Sequence, residues 1–145
     1  MKAPRPRRIL AVDYGDARTG LASTDWTGAI CVPLPRIDAR DETAVIAAIA
    51  ATVQERETEL VVLGMPLSLD GAAGPRAQRT SAFRERLQRA LPCPIVAIDE
   101  SHSTDEAHSR LKAGGLKAKK RKDLADSTAA LVILERYRAN ADRVM

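Results

Sequence analysis

The first third of the chain contains three strand-length segments separated by turn-forming residues. Residues 8–14 are mostly apolar around a short buried run, and residues 19–25 and 29–37 are joined around Thr27-Gly28. Successive strands with short connections pair as antiparallel neighbours. The pattern therefore predicts a meander of three β-strands at the start of the chain.

From residue 41 onward the pattern predicts helices that alternate with strands. Val45, Ile49 and Val53 recur at helical spacing within residues 41–57, and acids occupy the first turn. Apolar runs at 60–63 and 94–98 predict two buried strands. Three further helices are predicted, one that starts at Pro75, one over 103–111 that ends at Gly114-Gly115, and one from about 123 to 138.

The predicted order of elements is β-β-β-α-β-α-β-α-α. Such an order indicates an α/β protein with a five-stranded mixed sheet, in which three antiparallel meander strands precede two parallel ones, and with helices on both faces. A chain of 145 residues is the usual size of one compact domain. We therefore expect a single domain over residues 1–145, with residues 1–7 as a basic, flexible tail.

The charge of the chain is basic and unevenly distributed. The net charge is +4 and the pI is about 9.4. Between Lys112 and Lys122 there are six Lys or Arg residues and no acid, and Lys2, Arg5, Arg7 and Arg8 add a second cluster. Such clusters are typical of contact with a phosphate backbone, although solvated loops and tails show the same composition. With four aromatic residues, base stacking is not expected to be the main mode of binding.

Cysteine usage and hydropathy narrow the class of protein further. Cys31 and Cys93 are far apart and lack the spacing of a disulfide framework or a zinc site. No stretch approaches the roughly 18 apolar residues of a membrane span. We expect a cytoplasmic protein that does not contact a membrane.

Acidic residues follow or interrupt apolar segments at three places. Asp13 ends the first predicted strand, Asp99-Glu100 ends the last, and Asp126 lies among alanines in the final helix. Each has an ordinary structural interpretation, as a turn residue, a strand end or a helix cap. Two strands that both end in acids nevertheless favour a site, because ligands of open α/β sheets bind at the carboxyl ends of the strands.

If these acids meet, their mutual repulsion requires a cation. Carboxylate oxygens are hard ligands that suit Mg²⁺ or Mn²⁺, and two such ions about 4 Å apart catalyse phosphodiester hydrolysis. With strand 60–63 between the strands of Asp13 and Glu100, those two residues would be roughly 10 Å apart, and Gly64 would leave room between them. The interpretation assigns Asp13, Glu100 and Asp126 as catalytic residues and metal ligands.

Several cationic residues are candidates for contacts with substrate phosphates. Arg76 and Arg79 are one helical turn apart, and Arg18 follows the first turn. His102 and His108 have no recognisable partner, so a catalytic histidine is not favoured. The complete set of predicted nucleic-acid contacts is Arg18, Arg76, Arg79 and the basic loop residues Lys117, Lys119, Lys120, Arg121 and Lys122.

Short motifs occur along the chain in a characteristic order and spacing. They are Asp13-Tyr14-Gly15 with Arg18-Thr19-Gly20, Gly64-Met65-Pro66-Leu67 with Leu69-Asp70-Gly71, Asp99-Glu100, and Lys119 to Lys122 with Asp126 and Ala129-Ala130. Together they resemble the YqgF/RuvX family over nearly the whole chain. One position differs, because Ser101 and His102 replace an arginine and a hydrophobic residue that usually follow the Asp-Glu pair of the family.

The resemblance implies a ribonuclease H-like fold related to RuvC-type Holliday junction resolvases. It also implies a nuclease that matures the 5′ end of pre-16S ribosomal RNA in ribosome biogenesis. By position, the acidic residues of the family correspond to Asp13, Glu100 and Asp126. The expected partner is nucleic acid, either pre-rRNA or branched DNA, and no nucleotide cofactor is expected.

Three alternatives stay open at the level of sequence. A DNA junction resolvase requires two active sites and hence a homodimer, whereas the RNA nuclease is compatible with a monomer. A non-catalytic nucleic-acid-binding module in transcription or ribosome assembly would bind without divalent metal. A sugar-kinase or actin-like ATPase is disfavoured, because those enzymes need two such domains and this chain has room for one.

Overall fold

The computed structural model describes residues 6–66, 74–99 and 118–143, and the side chains of the last helix over 127–139. Statements about the structure concern these residues. In chain order the elements are β1 (Ile9–Asp13), β2 (Arg18–Thr24), β3 (Cys31–Asp38), α1 (Glu42–Arg56), β4 (Leu60–Met65), α2 (Pro75–Ala90), β5 (Ile95–Asp99) and α3 (Ala118–Arg143).

The five strands form one mixed sheet in the order β3-β2-β1-β4-β5. β1 pairs antiparallel with β2 and parallel with β4, and β5 adds in parallel to β4. The predicted arrangement of three meander strands followed by two parallel strands is therefore confirmed. A shift of register between Thr19 and Leu21 bends the pairing of β2 with β3.

Side chains that alternate along the strands give the sheet two buried faces. Leu10 and Val12 of β1 pack in a core beneath α1 and α2, which also contains Phe83. Ile9 and Ala11 belong to a second core on the opposite face, together with residues of α3. Because successive residues of a strand point to opposite sides, each strand has one face toward α1 and α2 and one face toward α3.

Helix α1 begins and ends where its sequence contains capping signals. The carboxylate of Asp41 accepts a hydrogen bond from the backbone N–H of Ala44 at 3.3 Å, which satisfies one of the free donors of the first turn. At the other end Glu57 adopts the left-handed conformation, with φ of 51°. The helix predicted over 41–57 thus forms with both ends within a residue of the expected positions.

Helix α3 is longer than the sequence pattern predicts. Its helical backbone extends from Ala118 to Arg143, so Lys119 to Lys122 lie in its first turns instead of in a loop, and Asp123 is inside the helix instead of capping it. The apolar spacing that indicates a helical face starts only at Leu124. Alanine, lysine and arginine are nevertheless strong helix formers, and nothing from 118 to 122 interrupts the helix.

Some predictions concern residues outside the described part of the chain. They are the helix over 103–111, its end at Gly114-Gly115, the basic residue Lys117 and the turn-rich loop that begins at Asp70. Among the helices that the structure describes, none combines the length and the apolar composition needed to cross a bilayer.

Candidate active site

Asp13 is the last residue of the central strand β1. Its backbone pairs with Gly20 of β2, and Val12 just before it pairs with Leu63 of β4. Strands on both sides therefore hold this residue in place. The side chain is partly buried and is engaged in a polar interaction. Asp13 is thus a carboxylate on a rigid element at the edge of the core.

The alternation of side chains places Asp13 on the face of the sheet that packs against α3. Ile9 and Ala11 of β1 contribute to the α3-facing core, and Asp13 continues that row. On β4 the same row contains Leu60 and Val62, and it reaches Gly64 at the level of Asp13. Gly64 itself therefore places no side chain next to this carboxylate, and the room that the sequence predicts there stays a prediction.

Helix α3 is anchored over the same part of the sheet. The Ser127 hydroxyl donates a 2.6 Å hydrogen bond to the carbonyl of Leu34. Leu34 pairs with Leu21 of β2, and Leu21 pairs with Val12, so Ser127 is held near the level of the residue before Asp13. Asp126 is the preceding residue of the helix. Its side chain lies outside the described part of the structure, and its role as a ligand stays a prediction.

The third predicted acid, Glu100, follows directly after β5 and also lies outside the described residues. The strand that leads to it is well defined, since Gly64 pairs with Ile98 and Met65 pairs with Asp99. β4 therefore lies between β1 and β5, as expected from the sequence. Two strand spacings correspond to roughly 10 Å between the outer strands.

The turn that follows Asp13 is unusually tight. A Cβ atom on Gly15 would lie 2.4 Å from the backbone carbonyl oxygen of Arg18. No real Cβ approaches a backbone atom so closely, so any side chain at this position would displace the turn. Gly15 therefore allows the chain to reverse directly after Asp13.

Tyr14 fixes the same turn from the other face of the sheet. Its ring stacks on Phe83 of α2, with 3.8 Å between the ring centroids and 1° between the planes. Burial is the main reason that the pKa of the Tyr14 hydroxyl is raised, and the nearby Glu42 carboxylate adds to the effect. Because this contact joins residues that are distant along the chain, no local motif indicated it.

Two ion pairs surround this aromatic contact. Arg79 of α2 contacts Asp16 at 2.9 Å, and Arg86 of α2 contacts Glu42 of α1 at 2.8 Å. The side chains of Arg79 and Asp16 are 54% and 69% exposed, and such surface pairs contribute at most about 1 kcal/mol. The predicted contact of Arg79 with a substrate phosphate stays a prediction, and loss of the pair with Asp16 would cost little stability. Arg18 and Arg76 are both exposed.

The donor set of the site fits a divalent cation. Carboxylate oxygens are the ligands that Mg²⁺ and Mn²⁺ prefer. In the described ranges no three His, Cys, Asp or Glu side chains converge, and of the three predicted ligands only the side chain of Asp13 falls within them. Asp13, with Gly64 at the same level of the neighbouring strand, is the described part of the predicted site.

Comparison with solved structures identifies the class to which this fold belongs. The chain aligns with Thermus thermophilus RuvC over 92% of this chain and 96% of that one, with a TM-score of 0.55 and 13% identity. The fowlpox virus Holliday junction resolvase aligns over 92% and 99%, with a TM-score of 0.53 and 13% identity. The predicted ribonuclease H-like fold is confirmed.

The particular family follows from sequence comparison. The chain belongs to the RuvX family, described as "Holliday junction resolvase", whose model matches residues 7–139. A protein of Streptomyces avermitilis is 41% identical over 90% of this chain and 85% of its own length, and one of Chloroflexus aurantiacus is 39% identical over 93% and 91%. Both are named "Putative pre-16S rRNA nuclease". The predicted family is confirmed, and with it the predicted class of enzyme, a nuclease that hydrolyses phosphodiester bonds.

Proposed function

We propose that this nuclease matures the 5′ end of pre-16S ribosomal RNA by divalent-metal-dependent hydrolysis of a backbone phosphodiester. The proposal is carried by the position of Asp13, a carboxylate at the end of the central strand, on the α3-facing side of the sheet and level with Gly64, which has no side chain. The names of the curated relatives support the choice of substrate.

We assign Asp13, Glu100 and Asp126 as the residues that hold the metal. Bound Mg²⁺ or Mn²⁺, as two ions, supplies an activated water and stabilises the leaving oxygen. The contribution of the protein is to fix the ligands before the substrate arrives. Asp13 is fixed by its pairing with Gly20 of β2 and by the pairing of Val12 with β4, and the helix that carries Asp126 is fixed by the hydrogen bond from Ser127 to Leu34. Such preorganisation avoids reordering of ligands during the reaction.

The first turns of α3 provide the proposed grip on the substrate backbone. Lys119, Lys120, Arg121 and Lys122 occupy this end of the helix, where there is no acidic residue. The positive end of the helix dipole disfavours cations, by about 0.3–1 kcal/mol each near the first turn. A polyanion relieves this repulsion, because the N-terminal end of a helix attracts negative charge. A helical start to the basic segment thus strengthens the interpretation of these residues as phosphate contacts.

Replacement of Lys119, Lys120 and Arg121 by glutamine tests this grip. A plot of the logarithm of the association constant against the logarithm of salt concentration has a negative slope. Loss of three phosphate contacts should make this slope shallower, by about 2 for single-stranded substrates and nearly 3 for duplexes. Affinity should fall by a similar factor for all sequences, because phosphate contacts do not discriminate between bases. Fluorescence anisotropy with labelled RNA at several salt concentrations measures both effects. An unchanged slope would exclude these residues from the interface.

A comparison of substrates tests the function itself. Equal amounts of enzyme are incubated, in Mg²⁺ or in Mn²⁺, with a precursor 16S rRNA fragment, an unstructured RNA and a four-way DNA junction. We expect cleavage of the precursor near the mature 5′ end, and none in EDTA. Preferential, symmetric cleavage of the junction by a dimer would instead support junction resolution, the activity for which the family is described. Binding of all three without cleavage would support a non-catalytic module.

A further inference from the structure

An exposed apolar surface lies at the opposite end of the sheet from Asp13. The connection between β2 and β3, residues 25–30, forms a hairpin that we call the Trp26 hairpin. Trp26 is 57% exposed and Ile30 is 60% exposed, and they are the large hydrophobic residues on the surface of the described chain. Exposed tryptophans are costly to solvate and are typical of binding sites.

Hydrogen bonds within the Trp26 hairpin hold it in one conformation. The Asp25 carboxylate accepts hydrogen bonds from the Thr27 hydroxyl at 2.8 Å and from the backbone N–H groups of Ala29 and Ile30 at 3.1 and 3.3 Å. These hydrogen bonds lower the pKa of Asp25, and the bond from Thr27 has the largest effect. The Asp25 N–H also donates to the Ile30 carbonyl at 2.8 Å. The exposed ring is therefore presented on a preorganised support, which reduces the entropy cost of binding.

Two arginine side chains contact the hairpin. The Arg8 guanidinium lies 5.0 Å from the centre of the Trp26 ring, and Arg138 donates to the Ala29 carbonyl at 3.2 Å. The backbone of Arg7 also lies here, since the Thr24 hydroxyl donates to the Arg7 carbonyl at 2.8 Å. Nearby acids are already engaged: Glu57 contacts Arg8 at 3.2 Å, and Glu59 accepts from the backbone N–H groups of Arg7 and Arg8.

We infer that the Trp26 hairpin is a second nucleic-acid contact, at which an unpaired nucleobase stacks on Trp26 while arginines bind the adjoining phosphates. An aromatic ring within a set of arginines matches a ligand that has both flat bases and negative charge. β1 separates the hairpin from Asp13 by roughly 15 Å, so the contacted nucleotide belongs to a single-stranded segment that flanks the cleaved phosphate. One stacking contact is compatible with an interaction dominated by phosphates. The inference extends the proposed function but concerns binding alone.

The single tryptophan of the chain makes this inference directly measurable. Unmodified protein in EDTA, which prevents cleavage, is titrated with a 12-nucleotide oligoadenylate while its tryptophan fluorescence is recorded. We expect quenching that saturates with RNA, the same response with the DNA oligomer of equal length, and none with an abasic oligomer of equal charge. Unchanged fluorescence at saturating RNA, with binding confirmed by anisotropy, would overturn the inference and leave the hairpin as a surface for a protein.

Substitutions separate stacking from charge. Trp26→Ala should weaken RNA binding by about 5- to 100-fold, as expected for loss of one stacked base, whereas Trp26→Phe should retain most of the affinity. A thermal melt of each variant verifies that the substitution does not unfold the protein. Equal affinity of wild type and Trp26→Ala would overturn the inference. Cleavage is measured in a separate assay with metal. Quenching of Trp26 fluorescence by RNA in a protein that does not cleave would reject only the proposed nuclease function. Cleavage by a protein whose fluorescence is not quenched would reject only the second contact.

Discussion

Asp13→Asn should lower the rate of RNA cleavage by about a thousandfold or more. The substitution keeps the size of the side chain and removes the charge, so it eliminates one of the ligands that are proposed to hold the metal. Such ions contribute several kcal/mol of transition-state stabilisation, and about 4 kcal/mol corresponds to a factor of a thousand. Single-turnover cleavage in saturating enzyme, in Mg²⁺ and in Mn²⁺, measures the loss in the chemical step.

Binding distinguishes this effect from a general defect. RNA affinity of Asp13→Asn in EDTA should be equal to or slightly greater than that of wild type, because one negative charge near the phosphate is removed. Asp38→Asn is a matched control, since Asp38 is an exposed acid at the end of β3 that contacts Arg36 at 2.9 Å. Its cleavage rate should stay within about threefold of wild type. A cleavage rate for Asp13→Asn equal to that of the control would remove Asp13 from the active site.

The second large effect is expected at the turn after Asp13. Gly15→Ala forces a Cβ atom toward the Arg18 carbonyl oxygen, only 2.4 Å away, so the backbone of the turn has to move. Overpacking of this kind costs about 1–3 kcal/mol of stability. A displacement of about 1 Å at a catalytic carboxylate lowers the rate by about a hundredfold. We therefore expect a folded but less stable enzyme with a strongly reduced kcat.

Gly74→Ala provides the control for this substitution. Nothing lies within 4 Å of a Cβ atom at Gly74, which precedes α2 and has an extended conformation. The same chemical change there places alanine at the N-cap of α2, which should cost about 0.5–1 kcal/mol of stability but leave the cleavage rate unchanged. Urea unfolding and cleavage assays are run on both variants. If Gly15→Ala resembled Gly74→Ala in both assays, the tight turn would have no role in placing Asp13.

Local features of the sequence determined the elements of the fold and the identity of the family. Helix α1 forms within its predicted bounds because its cap, Asp41, and its apolar spacing act over a few residues. The strand pattern was likewise sufficient to predict the mixed sheet. Asp13 was recognisable as a candidate because an acid at the end of a buried strand contradicts the apolar pattern around it.

Only the tertiary structure decided how these pieces face one another. The stacking of Tyr14 on Phe83, the bond from Ser127 to Leu34 and the register that brings Gly64 level with Asp13 each join elements that are distant in sequence. The pattern does not predict the start of α3 at Ala118, because its first turns carry charged residues with no apolar periodicity. It predicts the connection around Thr27-Gly28 but not the exposure of Trp26. Propensity and periodicity report on neighbouring residues, whereas side-chain contacts and exposure depend on the packing of the whole chain.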